Sequence, residues 1–106
     1  NSGKGYGQKG KVYYKGWETL KQNPLSVDDR IVAKLAYTNF TKAEKLKYRG
    51  FSRSKYLQEN AKDLLYGKAQ WFMAEDKIKR SGKIRTTTAS YDWVTDELSP
   101  EKGWKK

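Results

Sequence analysis

The sequence predicts an all-α fold, a small domain of three or four short helices with a flexible basic N-terminal arm and an extended C-terminal tail. Two observations lead there. Apolar residues recur at helical spacing, as in Tyr13, Trp17 and Leu20 or Val27, Ile31 and Leu35. A hydroxyl residue followed three positions later by an acid, the mark of a capped helix start, occurs at Ser26–Asp29 and Thr41–Glu44. These readings divide the chain into an arm (1–11), a helical domain (12–91) and a tail (92–106).

The arm holds Gly3, Gly5, Gly7 and Gly10 and no acid. Glycine has high backbone entropy to lose, so this arm is expected to be flexible until a partner holds it. A first helix carrying Tyr13, Trp17 and Leu20 should stop before Asn23-Pro24, because proline disfavours helix in the residue ahead of it. Ser26 should cap a second helix whose stripe of Val27, Ile31 and Leu35, widened by Val32 and Ala36, belongs to the core. Thr41 and Glu44 place a further helix start near Lys42, and Gly50 suits its C-terminal stop. Ser52 can cap the next segment, with Tyr56 or Leu57, Ala61, Leu64 and Leu65 at helical spacing up to Gly67. Residues 68–80 are rich in strong helix formers, although an irregular hairpin with 83–94 is the alternative, and Thr86–Thr88 favour extended backbone. "SPEKGWKK" reads as a frayed end, with Trp104 packing back or projecting into a partner.

Composition sets what the domain can do. The chain has 106 residues, 36% hydrophobic and 33% charged, so the core is thin and the 14% of aromatic residues must supply much of it. The formal net charge is +11, from 23 basic and 12 acidic residues, which attracts polyanions or acidic surfaces. With no cysteine and no histidine there are no disulfides, Cys/His zinc sites, thiol chemistry or histidine-based acid–base mechanisms. No apolar run approaches the ~20 residues needed to span a bilayer. The chain begins at Asn1 rather than Met, which fits a processed organellar or secreted form as well as a trimmed one.

No catalytic constellation, metal site or cofactor motif is present in the sequence. Asp28–Asp29 and Glu75–Asp76 are neighbours that point apart on a helix, so they read as helix charge balance rather than acid/base pairs. "GKGYG" lacks the strand–helix context and the Gly-Lys-Ser/Thr ending of a phosphate loop. The serines near Arg53 have no base to activate them.

Two basic runs are the candidate partner-binding residues. The first is Lys42, Lys45, Lys47, Arg49, Arg53 and Lys55; the second is Lys77, Lys79, Arg80, Lys83 and Arg85. Residues 41–67, a short helix, a glycine turn and a longer helix opening "FSRSKY", resemble the helix-turn-helix layout of winged-helix regulators. That resemblance implies Arg53 and Lys55 at base edges or phosphates, with Lys42, Lys45 and Lys47 on the DNA backbone. It also implies Gly50 in the turn and Gly67 at the end of the reading helix. A less demanding reading keeps the phosphate contacts and lets Tyr48, Phe51 and Tyr56 stack on unpaired bases, although burial of these rings is the favoured expectation. Asp92, Asp96, Glu97 and Glu101 form an acidic cluster beside the second run and are candidates to pair with it.

The sequence therefore points to a non-enzymatic basic accessory protein that docks electrostatically on an acidic partner, with nucleic acid (RNA or DNA) ranked first. The runner-up is an extrinsic or supernumerary subunit held on an acidic protein surface of a large complex, such as a photosynthetic or respiratory assembly. Membrane-surface binding ranks third, since no predicted helix pairs a basic face with a strongly apolar one.

Overall fold

The computed structural model describes residues 3–46 and 63–105, and they form a small all-α domain. Its helices are α1 (Gly3–Leu20), α2 (Val27–Lys45), α3 (Lys68–Phe72) and α4 (Asp76–Ser81), followed by 3-10 turns at Ala89–Tyr91 and Lys102–Lys105. The long pair α1–α2 packs together, α3 contacts the closing 3-10 turn, and Trp71, Ile84, Tyr91, Val94 and Leu98 join the core formed with the long pair. Extended pairing among the described residues is limited to one antiparallel bridge, Ile84 with Leu98, closed by N–H···O bonds of 2.9 and 2.8 Å. Residue 84 thus pairs with the tail and not with 68–80.

α1 corrects the expected arm, because residues 3–11 are its opening turns. Glycine costs an isolated helix ~1 kcal/mol per residue relative to alanine, so propensity opposes this helix. Packing outweighs it. Gly7 and Gly10 are buried, and a β-carbon at Gly10 would lie 2.5 Å from the Phe40 ring of α2. Gly16 meets the Trp93 indole in the same way. The missing side chains let α1 lie close against its neighbours, and Tyr13 and Trp17 complete the contact from the same helix. As expected, α1 stops at Leu20, ahead of a cis Asn23–Pro24 peptide.

α2 starts as its sequence requires. The Ser26 hydroxyl accepts the Asp29 N–H at 3.1 Å, and the Asp29 carboxylate accepts the Ser26 N–H at 2.9 Å, a reciprocal capping box. Ile31, Val32, Leu35 and Ala36 are buried as expected, whereas Val27 lies outside the core, 56% exposed. The expected fresh start near Lys42 is absent, since α2 runs unbroken from Val27 to Lys45. Thr41 donates its hydroxyl to the Tyr37 carbonyl at 2.9 Å, a bond made inside a helix and not at its cap. Phe40 and Ala43 are fully buried, so the core continues the apolar stripe past the local capping signal.

Residues 68–80 are helical in two pieces, broken at 73–75. Gly67 donates its N–H to the Gln70 side chain at 2.8 Å at the start of α3, and Gly82, at φ +69°, ends α4 in the left-handed conformation that favours glycine. The tail from Asp92 is mostly irregular, as expected, but it is packed. Val94 and Leu98 are buried, and Trp104 lies half-buried against Tyr66 at a centroid distance of 5.7 Å.

The close approach at Gly10 yields a direct check. Gly10→Ala should lower stability by about 1–3 kcal/mol through overpacking against Phe40, although alanine is the better helix former. Gly103→Ala, with open space around it, should change stability by less than about 0.5 kcal/mol in the same denaturant titration.

Candidate docking surface

Two adjacent carboxylates at the start of α2 position the surface. Asp28 accepts the N–H groups of Thr87 and Thr88 at 2.9 and 2.8 Å and the Thr88 hydroxyl at 2.7 Å. Asp29 accepts the Gln22 and Ser26 N–H groups at 2.8 and 2.9 Å and the Tyr91 hydroxyl at 2.7 Å. Both residues are buried. An unpaired carboxylate in such a place would cost several kcal/mol, and these hydrogen bonds replace the lost hydration. The N-terminal dipole of α2 favours the same negative charge. The two side chains do point apart, as neighbours on a helix should, but their role is to tie loops to α2, which exceeds the charge balance expected of them.

Burial pushes the Asp29 carboxyl up, but the N–H bonds from Gln22 and Ser26 and the Tyr91 hydroxyl outweigh it and hold its pKa below the ordinary value. Tyr91 is pushed far up by burial and by Asp29, so it stays a neutral donor. Asp96 is likewise held low: burial raises it, while bonds from Lys9 and Tyr13 more than compensate.

The acidic tail accounts for where positive charge remains. Asp96 pairs with Lys9 at 2.6 Å and accepts the Tyr13 hydroxyl at 2.6 Å. Glu101 pairs with Lys34 at 2.5 Å, and Glu97 approaches Arg85 at 3.6 Å. Of the second basic run, then, only Arg85 meets a tail acid among the described residues. Lys79 donates to the Phe72 carbonyl at 2.7 Å and lies 5.4 Å from the centre of the Phe72 ring. Lys77, Arg80 and Lys83 are exposed and make no ion pair with any described residue.

The first run is placed only in part. Lys42 and Lys45 occupy the last turn of α2, with the Lys42 ammonium 5.2 Å from the centre of the Tyr6 ring. Lys47, Arg49, Arg53 and Lys55 lie outside the described residues, as do Tyr48, Phe51 and Tyr56 and the Gly50 turn of the helix-turn-helix resemblance. The described parts of the two runs do not converge. Thr87 docks on the first turn of α2 and Lys42 sits in its last, roughly 20 Å apart at 1.5 Å per residue.

Beside α4 lies a groove of about 550 Å³ between the start of α2, α3, α4 and the Ile84–Thr87 segment. Val27, Ile31, Tyr66, Met73, Ile78 and Ile84 make its apolar lining, with Arg30, Arg85 and Glu75 among its polar residues. Met73 is 81% exposed and its neighbour Phe72 is 75% exposed. Sequence reasoning assigned Val27 to the core and passed over Phe72 and Met73. Phe72-Met73, an apolar pair where α3 gives way to the break at 73–75, was the available signal. Among the described residues no three His, Cys, Asp or Glu side chains converge as a metal site would require, and no helix is long and apolar enough to cross a membrane.

The buried carboxylates make two expectations. Asp28→Ala should cost about 2–4 kcal/mol in thermal or denaturant unfolding, because it removes the partner of two part-buried N–H groups and a hydroxyl at once. Because Asp29 and Asp96 have folded pKa values below their unfolded ones, their stabilisation is complete above about pH 4–5 and is lost as pH falls through the folded values. An acid titration of unfolding free energy should therefore decline below about pH 4, and Asp29→Asn should flatten that decline.

Compared with known proteins, this chain matches no family model, no curated protein and no solved structure.

Proposed function

We propose that this protein is a non-catalytic docking component, whose α4 face engages an acidic protein surface within a larger assembly. The carrying observation is the pairing pattern of the tail. Asp96 and Glu101 are engaged by Lys9 and Lys34, far from α4 in sequence, and Lys77, Arg80 and Lys83 keep their charge. Between Lys68 and Arg85 there are six basic residues and two acids, so this part of the surface has a strong positive bias. The apolar groove runs alongside it. A protein surface supplies both acids for the charges and apolar side chains for the groove, and interface cores combine these features.

Nucleic acid is the second reading, favoured by one feature. Phe72 is exposed with Lys79 beside it, a pairing that can stack an unpaired base next to a phosphate contact. A phosphate backbone has nothing apolar to place in the adjoining groove, which is why this reading ranks below the protein surface.

The triple substitution Lys77→Ala, Arg80→Ala and Lys83→Ala separates docking from folding. It should leave the melting temperature within about 2 °C of wild type, since exposed substitutions away from structural contacts change little. It should also release the partner that co-purifies from the native source at low salt. Titration with RNA and DNA decides the second reading. Binding whose logarithm falls linearly with the logarithm of salt, and which weakens in Phe72→Ala, would move nucleic acid to first place.

A further inference from the structure

We infer that the groove between α2, α3 and α4 seats an amphipathic helix of the partner protein, its apolar ridge in the groove and its acidic flanks on the surrounding basic residues. This rests on the docking reading above and names what the docked element is.

Three features of the groove lead to this occupant. The first is apolar surface left in water: Met73 and Val27 are 81% and 56% exposed on the walls of a concavity otherwise lined by Ile31, Tyr66, Ile78 and Ile84. Methionine adapts its shape to an incoming side chain, and removing its apolar surface from water is favourable. The second is charge. Arg30 and Arg85 line the groove, Arg85 with Glu97 3.6 Å away, and Lys77 precedes the groove-lining Ile78 on α4. Against them stand Glu75 and Asp28, and the Asp28 carboxylate is already occupied by Thr87 and Thr88. The local balance therefore selects glutamates and aspartates beside an apolar strip. The third concerns backbone. An extended peptide needs a strand edge to pair with, and extended pairing among the described residues is limited to the single Ile84–Leu98 bridge, too short to offer one. A helix satisfies its own backbone and offers a ridge at i, i+3/i+4 and i+7 to a groove walled by helices.

The test uses the full chain and a designed helical peptide with leucines at i, i+4 and i+7 and glutamates on the flanking faces. A scrambled peptide of equal composition and a single-stranded RNA serve as comparisons. The patterned peptide should bind at least tenfold more tightly than the scrambled one. Met73→Glu, at an exposed position, should remove that preference while circular dichroism stays unchanged. Val27→Glu, in the first turn of α2 where an acid is favourable, gives the same readout independently and stands in if Met73→Glu unfolds. Equal binding of the two peptides, or a preference that both variants retain, overturns the inference; loss of all peptide binding in Lys77→Glu/Arg80→Glu would then leave the charge reading standing. If neither peptide binds at low salt, the docking reading falls with it. RNA that displaces the patterned peptide from wild type and binds Met73→Glu equally well assigns the face to nucleic acid and overturns the inference. A dimer in sedimentation that Met73→Glu disperses assigns the groove to a second copy of this chain and overturns it as well.

Discussion

The C-terminal half of this protein depends on two carboxylates buried side by side at the start of α2. Asp29 closes the capping box and holds the α1–α2 loop through Gln22, while Asp28 gathers Thr87 and Thr88 from roughly sixty residues away in sequence. Buried carboxylates are costly unless hydrogen bonds replace their hydration, so the site tolerates few other arrangements. Fixing Thr87–Tyr91 fixes what flanks it. Ile84 is held for its bridge to Leu98, and α4, which leads into it through Gly82, leaves its lysines exposed. The docking surface is thus a consequence of buried acid, although its own character is basic.

A second constraint acts on α1. Four of its residues between Gly3 and Gly10 are glycines, and no helix propensity favours that. The helix exists because absence of a side chain at Gly10 and Gly16 admits Phe40 and Trp93. Lys9, bonded to Asp96, then ties the beginning of α1 to the tail. One ion pair joins the two ends of the described chain, and in doing so occupies an acid that could have neutralised α4. Architecture and surface charge are linked through that choice of partner.

Much of this was legible in the residues. Ser26–Asp29 announced a capping box with the correct partners, the 31–36 stripe announced the core face of α2, and Asn23-Pro24 marked the end of α1. The failures share a cause. Glycine spacing in α1 and the Thr41–Glu44 signal are local features, whereas Phe40 and Ala43 decide both through tertiary contact. Long-range pairing was hardest to see. That the tail acids should meet Lys9 and Lys34, leaving Lys77, Arg80 and Lys83 exposed, follows from topology, and no spacing in the sequence encodes it.

Amide hydrogen exchange at Thr87 and Thr88 tests the central claim most directly. Loop amides in water exchange quickly, and these two are expected to be protected to nearly the level of the α2 core amides, because Asp28 holds them. In Asp28→Asn both should lose most of that protection, with Ile84 and Leu98 following, while Leu35 and Ala36 stay protected. Exchange at Thr87 and Thr88 as fast as at an exposed loop in the wild-type protein would contradict the account, for the docking surface would then have no buried anchor.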